Sequence, residues 1–146
     1  MSNIIVHKQD KQKNNAKQSI RLILDNLRSA YNVGSIIRTA ECLNIEEIYF
    51  CGYTATPDHP KIAKTAMGTE ERITWKHFAK TEDAILHVKS CGYFVYALET
   101  VVDSVSVFDE NFKEKTAIVV GNEALGISEN VLSLSDRCLS LPVTPQ

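Results

Sequence analysis

Short apolar runs alternate with helix-like stretches along the chain, and the alternation predicts an α/β domain. Six apolar runs predict strands, at residues 20–26, 46–53, 73–78, 93–99, 116–120 and 137–143. Between them, apolar spacing and helix-ending glycines predict helices at 33–43, 60–67, 81–90 and 129–134. Helices of this length imply right-handed crossovers, so the pattern predicts a mostly parallel six-stranded sheet with helices on both faces.

In such a sheet, functional groups collect where loops leave the carboxyl ends of the strands. This rule directs attention to four segments of the chain. They are residues 25–38, 98–100, 121–128 and 141–146.

The first segment carries one polar residue at the expected helix start and one basic residue within the helix. Asn32 can cap the helix with its side-chain oxygen, and Gly34 allows another part of the chain to approach closely. Arg38 lies far from the apolar stripe, which consists of Val33, Ile36, Ile37, Ala40 and Leu43. From the pattern alone, an ordinary solvated Arg remains the alternative to a functional one.

The composition is that of a soluble globular protein, with 44% hydrophobic and 23% charged residues. No apolar run approaches the ~20 residues that span a bilayer, and the first residues do not resemble a signal peptide. We therefore expect a cytoplasmic protein with no membrane partner. The four Cys and four His residues have no metal-ligand spacing, so no metal is expected.

Charge is distributed unevenly along the chain. Residues 1–80 carry 12 Lys or Arg and 8 Asp or Glu, whereas residues 81–146 carry 4 and 10. Residues 1–19 are predicted to form a basic, flexible arm. Such an arm suits contact with phosphates, although a solvated tail is the alternative.

The stretch VVGNEALGIS, at residues 119–128, lies between a predicted strand and a predicted helix. Its two glycines, Gly121 and Gly126, have the spacing of a phosphate-binding P-loop, but Ile127 stands where that loop needs Lys. Glu123 adds a carboxylate where a polyphosphate would lie. These residues argue against an ATPase, and the absence of G-x-G-x-x-G after the first strand argues against a Rossmann domain.

Three segments together carry a resemblance to a known family. They are N-x-G-x-x-x-R-x-A at residues 32–40, V-x-G-N-E-x-x-G-I-S at 119–128, and a closing L-P-V strand. In this order they resemble the SPOUT superfamily of RNA methyltransferases, on the TrmH (SpoU) branch that methylates ribose 2′-hydroxyls. The segment KIAKTAMGTEE, at residues 61–71, is also similar to the family.

The resemblance implies a trefoil-knotted sheet that binds S-adenosyl-L-methionine with three loops. The glycines are expected to let the adenosine lie against the backbone. The cofactor-binding residues that it implies are Leu98, Glu99, Thr100, Gly121, Asn122, Glu123, Gly126, Leu141 and Pro142.

The resemblance also implies a homodimer that acts on tRNA or rRNA. Arg38 matches the family's catalytic Arg, and Asn32 and Glu123 match residues that shape the site. A guanidinium stays protonated, so Arg38 is expected to grip a phosphate and stabilise charge on the 2′-oxygen. Residues expected to contact RNA are Lys8, Lys11, Lys13, Lys17, Arg28, Arg38, Lys61 and Lys64.

The family's third motif continues into a loop and a helix that would follow Gln146. The domain at 20–146 is therefore expected to be truncated before that helix. This leaves two hypotheses, an RNA 2′-O-methyltransferase and a catalytically silent RNA-binding or assembly module on the same fold. Arg38 and Glu123 favour the enzyme.

Overall fold

Parallel strands form a single sheet in the structure, which is a computed structural model describing residues 18–99, 105–106 and 110–140. Within these ranges the order is β3-β2-β1-β6-β4-β7-β5, and every pairing is parallel. The strands are β1 (Ser19–Asp25), β2 (Glu47–Cys51), β3 (Trp75–Phe78), β4 (Phe94–Leu98), β5 (Val105–Ser106), β6 (Lys115–Val120) and β7 (Arg137–Ser140).

The predicted α/β class and all six predicted strands are confirmed. The sheet also contains β5, which the sequence did not predict. A strand of two residues is too short to show any periodicity, and it exists because it pairs with β7.

Four helices cover the sheet in the described part of the chain, with one short 3-10 turn at Thr69–Glu71. They are α1 (Ala30–Cys42), α2 (Pro60–Ala66), α3 (Thr81–Ser90) and α4 (Glu129–Leu134). Helix α2 begins with a proline at its first position, and Met67, which follows its last residue, adopts left-handed backbone angles. None of the described helices is long and apolar enough to cross a membrane.

The helices divide between the two faces of the sheet and create two cores. Side chains alternate between the two faces along β1. Leu24 points to α1 and α2, and the preceding residue, Ile23, points to α3 and α4. Both side chains are fully buried. Strands buried on both faces read as continuous apolar runs, and β2, which is buried along its whole length, shows this most clearly.

The start and end of α1 differ from the prediction. Asn32 does not cap the helix, because the helix begins at Ala30 and the Ser29 hydroxyl accepts the Asn32 N–H at 3.1 Å. Asn32 is instead an exposed residue of the first turn. Leu43 was expected on the buried stripe, but the helix ends at Cys42 and Leu43 is 66% exposed.

Other predicted features lie outside the described residues. Residues 1–17, which include Lys8, Lys11, Lys13 and Lys17, belong to the predicted basic arm. The predicted knot stays a prediction, because residues 100–104, 107–109 and 141–146 lie outside the described residues.

Candidate functional site

Loops that follow β1, β2 and β6 are joined by hydrogen bonds at the carboxyl edge of the sheet. Asn122, directly after β6, donates from Nδ2 to the Asn26 carbonyl oxygen at 2.8 Å and to the Tyr53 hydroxyl at 2.7 Å. Its Oδ1 accepts the N–H groups of Ala124 and Leu125, both at 2.8 Å. Asn122 is only 6% exposed, so these four bonds satisfy a buried amide and fix the loop.

Glu123 connects the same loop to the start of α1. Its carboxylate accepts the backbone N–H of Arg28 at 3.1 Å and that of Ser29 at 3.2 Å. These N–H groups precede the first helical turn, where a carboxylate is favoured by the helix dipole. The bonds join residues about 95 positions apart in the chain and bring the two predicted motifs together.

A cavity of about 350 Å³ opens between these two motifs. Asn32 and Ser35 of α1 contribute polar side chains, and Gly121 and Glu123 lie on the β6 side. The apolar part of the lining is Leu27, Ile36 and Val120. Apolar walls with a few polar groups suit an uncharged or weakly polar organic ligand better than a polyphosphate.

The two glycines of the loop lie close to other residues of the chain, and the expected contact of an adenosine with this backbone stays a prediction. A Cβ on Gly121 would lie 2.4 Å from Ile127 Cγ1, and a Cβ on Gly126 would lie 2.2 Å from Glu99 Oε2. Gly126 also has a φ of +69°. Ile127 and Glu99 therefore occupy the space beside Gly121 and Gly126, and a larger residue at either position would force these neighbours to shift.

Glu99 also holds this turn through hydrogen bonds. Its Oε2 accepts the Ile127 N–H at 2.8 Å, and its own N–H donates to the Leu139 carbonyl oxygen at 2.8 Å. The ends of β4, β6 and β7 are thereby tied together. These are the strands after which the three predicted cofactor loops leave the sheet. Leu98 and Glu99 are described, whereas Thr100, Leu141 and Pro142 lie outside the described residues.

Arg38 lies on the exposed face of α1, as its position on the helix predicted. It lines a neighbouring cleft of about 320 Å³ that shares Ser35 with the cavity at Gly121. Its Nη1 donates to Met67 Sδ at 3.6 Å. Among the described residues no carboxylate forms an ion pair with Arg38, so its charge faces solvent.

Asp25 is a buried carboxylate at the end of β1, behind the site. Its Oδ1 accepts the Thr81 hydroxyl at 2.5 Å and the Asn26 amide at 3.2 Å. Burial raises the pKa of the Asp25 carboxyl, and the Thr81 hydrogen bond opposes the rise. Burial likewise raises the pKa of the nearby Cys51 thiol to about 12, so this thiol stays protonated.

The basic residues expected to meet RNA are only partly described. Arg28, Lys61 and Lys64 are exposed, the first before α1 and the other two on α2. Within the described ranges, no three His, Cys, Asp or Glu side chains are grouped closely enough to hold a metal ion.

Asn26, Ser29 and Tyr53 were not predicted as site residues. All three follow a strand or precede a helix at the carboxyl edge, in the stretches LDNLRS and CGYT. The edge rule could have identified these positions. The bonds that join these residues to Glu123 and Asn122, and Tyr53 to Asn26, could not be predicted, because their partners lie far apart in the chain.

Comparison with known proteins places this geometry in a family. The model of the SpoU rRNA Methylase family matches residues 19–146. The tRNA (guanosine(18)-2′-O)-methyltransferase of Thermus thermophilus is 23% identical over 124 residues, covering 85% of this chain and 63% of the relative. The same-named protein of Aquifex aeolicus is 23% identical over 130 residues, with 87% and 60% covered. The chain thus spans less than two thirds of either relative.

Solved structures agree on the fold. A putative RNA methyltransferase of the TrmH family from Porphyromonas gingivalis superposes with a TM-score of 0.77 at 27% identity, covering 88% of this chain and 51% of that one. The SpoU methyltransferase AviRb from Streptomyces viridochromogenes, in complex with AdoMet, gives 0.80 at 23% identity, with 88% and 53% covered.

Proposed function

This chain belongs to the SpoU rRNA Methylase family, and we propose that it transfers a methyl group from S-adenosylmethionine to a ribose 2′-hydroxyl of tRNA or rRNA. One observation carries the proposal. The Glu123 carboxylate binds the N–H groups before α1, and the cavity between them is lined by Asn32, Gly121 and Glu123. Relatives named as tRNA 2′-O-methyltransferases support the same reaction.

S-adenosylmethionine is the cofactor in this proposal, and when bound it supplies an electrophilic methyl group. Leu98, Glu99 and Gly121 would hold it, together with the loop after β7. The end of β6 fits such a group, because Val120 and Gly121 line a partly apolar cavity and hydrogen bonds through Glu99 fix this edge to β4 and β7. No metal ion is needed in this proposal, since a sulfonium methyl is already activated.

Arg38 is proposed to bind a phosphate of the RNA and to stabilise negative charge on the 2′-oxygen. Its guanidinium has no carboxylate partner in the described chain, so its N–H groups can form paired hydrogen bonds to a phosphate. The proton of the hydroxyl would pass to the phosphate or to water. Asn32, six residues before Arg38 on α1, would position the ribose.

RNA would be recognised first through its phosphates. Arg28 is exposed at the same edge of the sheet, and Lys61 and Lys64 are exposed on α2, which packs against α1. These three residues extend the positive charge of Arg38. We place the reaction in the cytoplasm, where tRNA and ribosomes are found.

We further infer that two copies of the chain associate. An apolar cleft of about 380 Å³ lies between α1 and the sheet, on the side opposite α3 and α4. Its lining is almost entirely apolar and includes Ile20, Leu22, Ile36, Leu43, Ile45 and Ile118. A second copy that covered Leu43 would remove this surface from water.

The test replaces Arg38 by Ala and measures methyl transfer to tRNA and rRNA from radiolabelled S-adenosylmethionine. We expect the rate at saturating RNA to fall about 100-fold or more, because one charge-stabilising group is lost. The affinity for the cofactor, measured by calorimetry, should stay unchanged.

Arg72→Ala is the matched control. Arg72 is also exposed and bonds to Glu41 of α1 at 3.0 Å, but it faces neither cavity. This variant should keep the wild-type rate within about twofold, since exposed ion pairs contribute little. An Arg38→Ala variant as active as the wild type would remove Arg38 from the mechanism.

A further inference from the structure

The Tyr53 side chain is oriented in the reverse of the usual way for a surface tyrosine. Tyr53 is 60% exposed, yet its hydroxyl accepts a hydrogen bond at 2.7 Å from the buried Asn122. A surface tyrosine normally buries its ring and leaves the hydroxyl in water. Here the polar end is anchored in the protein, and the apolar ring is left to the solvent.

The backbone that carries this ring is held firmly. The Tyr53 N–H donates to Asn26 Oδ1 at 3.0 Å, and Gly52 takes a φ of +63°. The Gly52 N–H donates to the Phe78 carbonyl oxygen at 2.9 Å, and its own carbonyl lies 3.0 Å from His77 Nε2. The ring is therefore positioned before any ligand binds, which lowers the entropy lost on binding.

Tyr53 also lies next to the proposed site. It follows β2 at the carboxyl edge, and the Asn122 that anchors it is adjacent to Gly121 in the cavity wall. The same Asn122 fixes the N–H groups of Ala124 and Leu125 in the loop. The buried Asn122 side chain thus holds both the exposed Tyr53 ring and the loop at the cavity.

We propose that the Tyr53 ring is a nucleobase-binding surface, on which a base of the RNA at or beside the methylated nucleotide stacks. This inference rests on the proposed function and names a feature of its substrate. Unpaired bases stack on aromatic side chains, whereas bases within a duplex are not available to them. The substrate segment would therefore be a loop or another unpaired region.

The test compares Tyr53→Leu and Tyr53→Phe in the full chain. Tyr53→Leu should raise KM for the RNA about 5-fold to 100-fold, because stacking on the ring is lost. Tyr53→Phe keeps the ring and should change KM less than about threefold. The cofactor affinity by calorimetry should be unchanged in both variants. Leu86→Ala, an exposed residue of α3, serves as the matched control and should behave as the wild type.

The fluorescence of a Tyr53→Trp variant reports directly whether a base stacks on the ring at this position. Adding a single-stranded oligonucleotide should quench the new indole, after subtraction of the Trp75 signal measured in the wild type. A duplex of the same sequence should quench it less.

Three results would overturn the inference. If Tyr53→Phe loses as much RNA affinity as Tyr53→Leu, the hydroxyl bond to Asn122 matters and the ring does not bind a base. If neither variant changes KM, or if Tyr53→Trp is not quenched, the ring has no contact with RNA. Failure of the wild type to methylate RNA would instead contradict the proposed function, and RNA binding by the Tyr53 variants would still be measurable.

Discussion

At the scale of single residues, buried polar side chains determine the shape of the candidate site. Asn122 was predicted from a motif as a cofactor-binding residue, and its role in binding remains a prediction. Its amide already makes four hydrogen bonds to the chain's own groups. Replacing a buried, fully bonded amide leaves its partners unpaired, at about 1–3 kcal/mol for each buried group. Its support of the loop is therefore a structural requirement, whatever ligand the loop binds.

Asp25 leads to a prediction about the pH dependence of stability. Burial raises the pKa of its carboxyl above the ordinary value of 3.8. The folded protein therefore binds this proton more tightly than the unfolded chain does. The protonated Asp25 therefore makes its full contribution to the free energy of unfolding below pH 3.8, and this contribution is lost as the pH rises through the folded-state pKa.

Asp25→Asn should remove this loss of stability at higher pH, because Asn stays neutral and its side-chain oxygen can still accept a hydrogen bond from the Thr81 hydroxyl. As the pH rises from 3.8 through the folded-state pKa of Asp25, the variant should gain free energy of unfolding relative to the wild type. Urea unfolding at several pH values measures the difference. A difference that stays constant across this range would show that the carboxyl is not perturbed by burial.

At the scale of elements, the sequence predicts faces better than ends. The stripe on α1 was right for Val33, Ile37 and Ala40, which are all buried. The predicted start of α1 was wrong because Ser29 and Asn32 are both good capping residues, and the pattern does not distinguish between them. The choice of Ser29 is favoured by Glu123, which binds the N–H groups of this turn from a segment far along the chain. Local patterns contain no information about such a contact.

Gly34 was expected to permit a close approach, and the structure confirms it. A Cβ there would lie 1.6 Å from Thr65 Oγ1 and 2.7 Å from Thr65 Cβ, so α1 and α2 pack directly against each other. Gly34→Ala should reduce the free energy of unfolding by about 1–3 kcal/mol through overpacking, despite the better helix propensity of Ala.

Denaturant unfolding of Gly34→Ala beside Ser35→Ala measures this effect. Ser35 is the next residue on α1 and is half-buried, and its truncation creates no overlap. We expect Ser35→Ala to stay within about 0.5 kcal/mol of the wild type. Equal stability of the two variants would mean that the helices are not in contact at Gly34.

At the scale of the whole molecule, the two faces of the sheet differ in what covers them. Helices α3 and α4 pack over one core, whereas the other face keeps an apolar cleft beside α1. The hydrophobic pattern could not predict the cleft or the cavity between Asn32 and Glu123, although the family resemblance did imply that these two residues shape one site. The cleft and the cavity both depend on placing β6 between β1 and β4, which brings residues 121–128 to the start of α1.

The inferred dimer predicts a change in molar mass. Leu43→Glu would place a charge in the apolar cleft and should convert the dimer to a monomer, as measured by light scattering after gel filtration. Leu86→Glu, on the opposite face, changes a similarly exposed leucine and should remain dimeric. A wild-type monomer, or a Leu43→Glu dimer, would contradict association through this cleft.

The central claim is methyl transfer to a ribose 2′-oxygen, and the chemical identity of the product tests it most directly. The chain is incubated with unmodified tRNA or rRNA and S-adenosylmethionine carrying a deuterated methyl group, and the digested nucleosides are analysed by mass spectrometry. We predict a labelled 2′-O-methylnucleoside, with the label on the ribose and the adjacent phosphodiester resistant to alkali. Label found on a base, or no transfer by a chain that binds both cofactor and RNA, would contradict the proposed function.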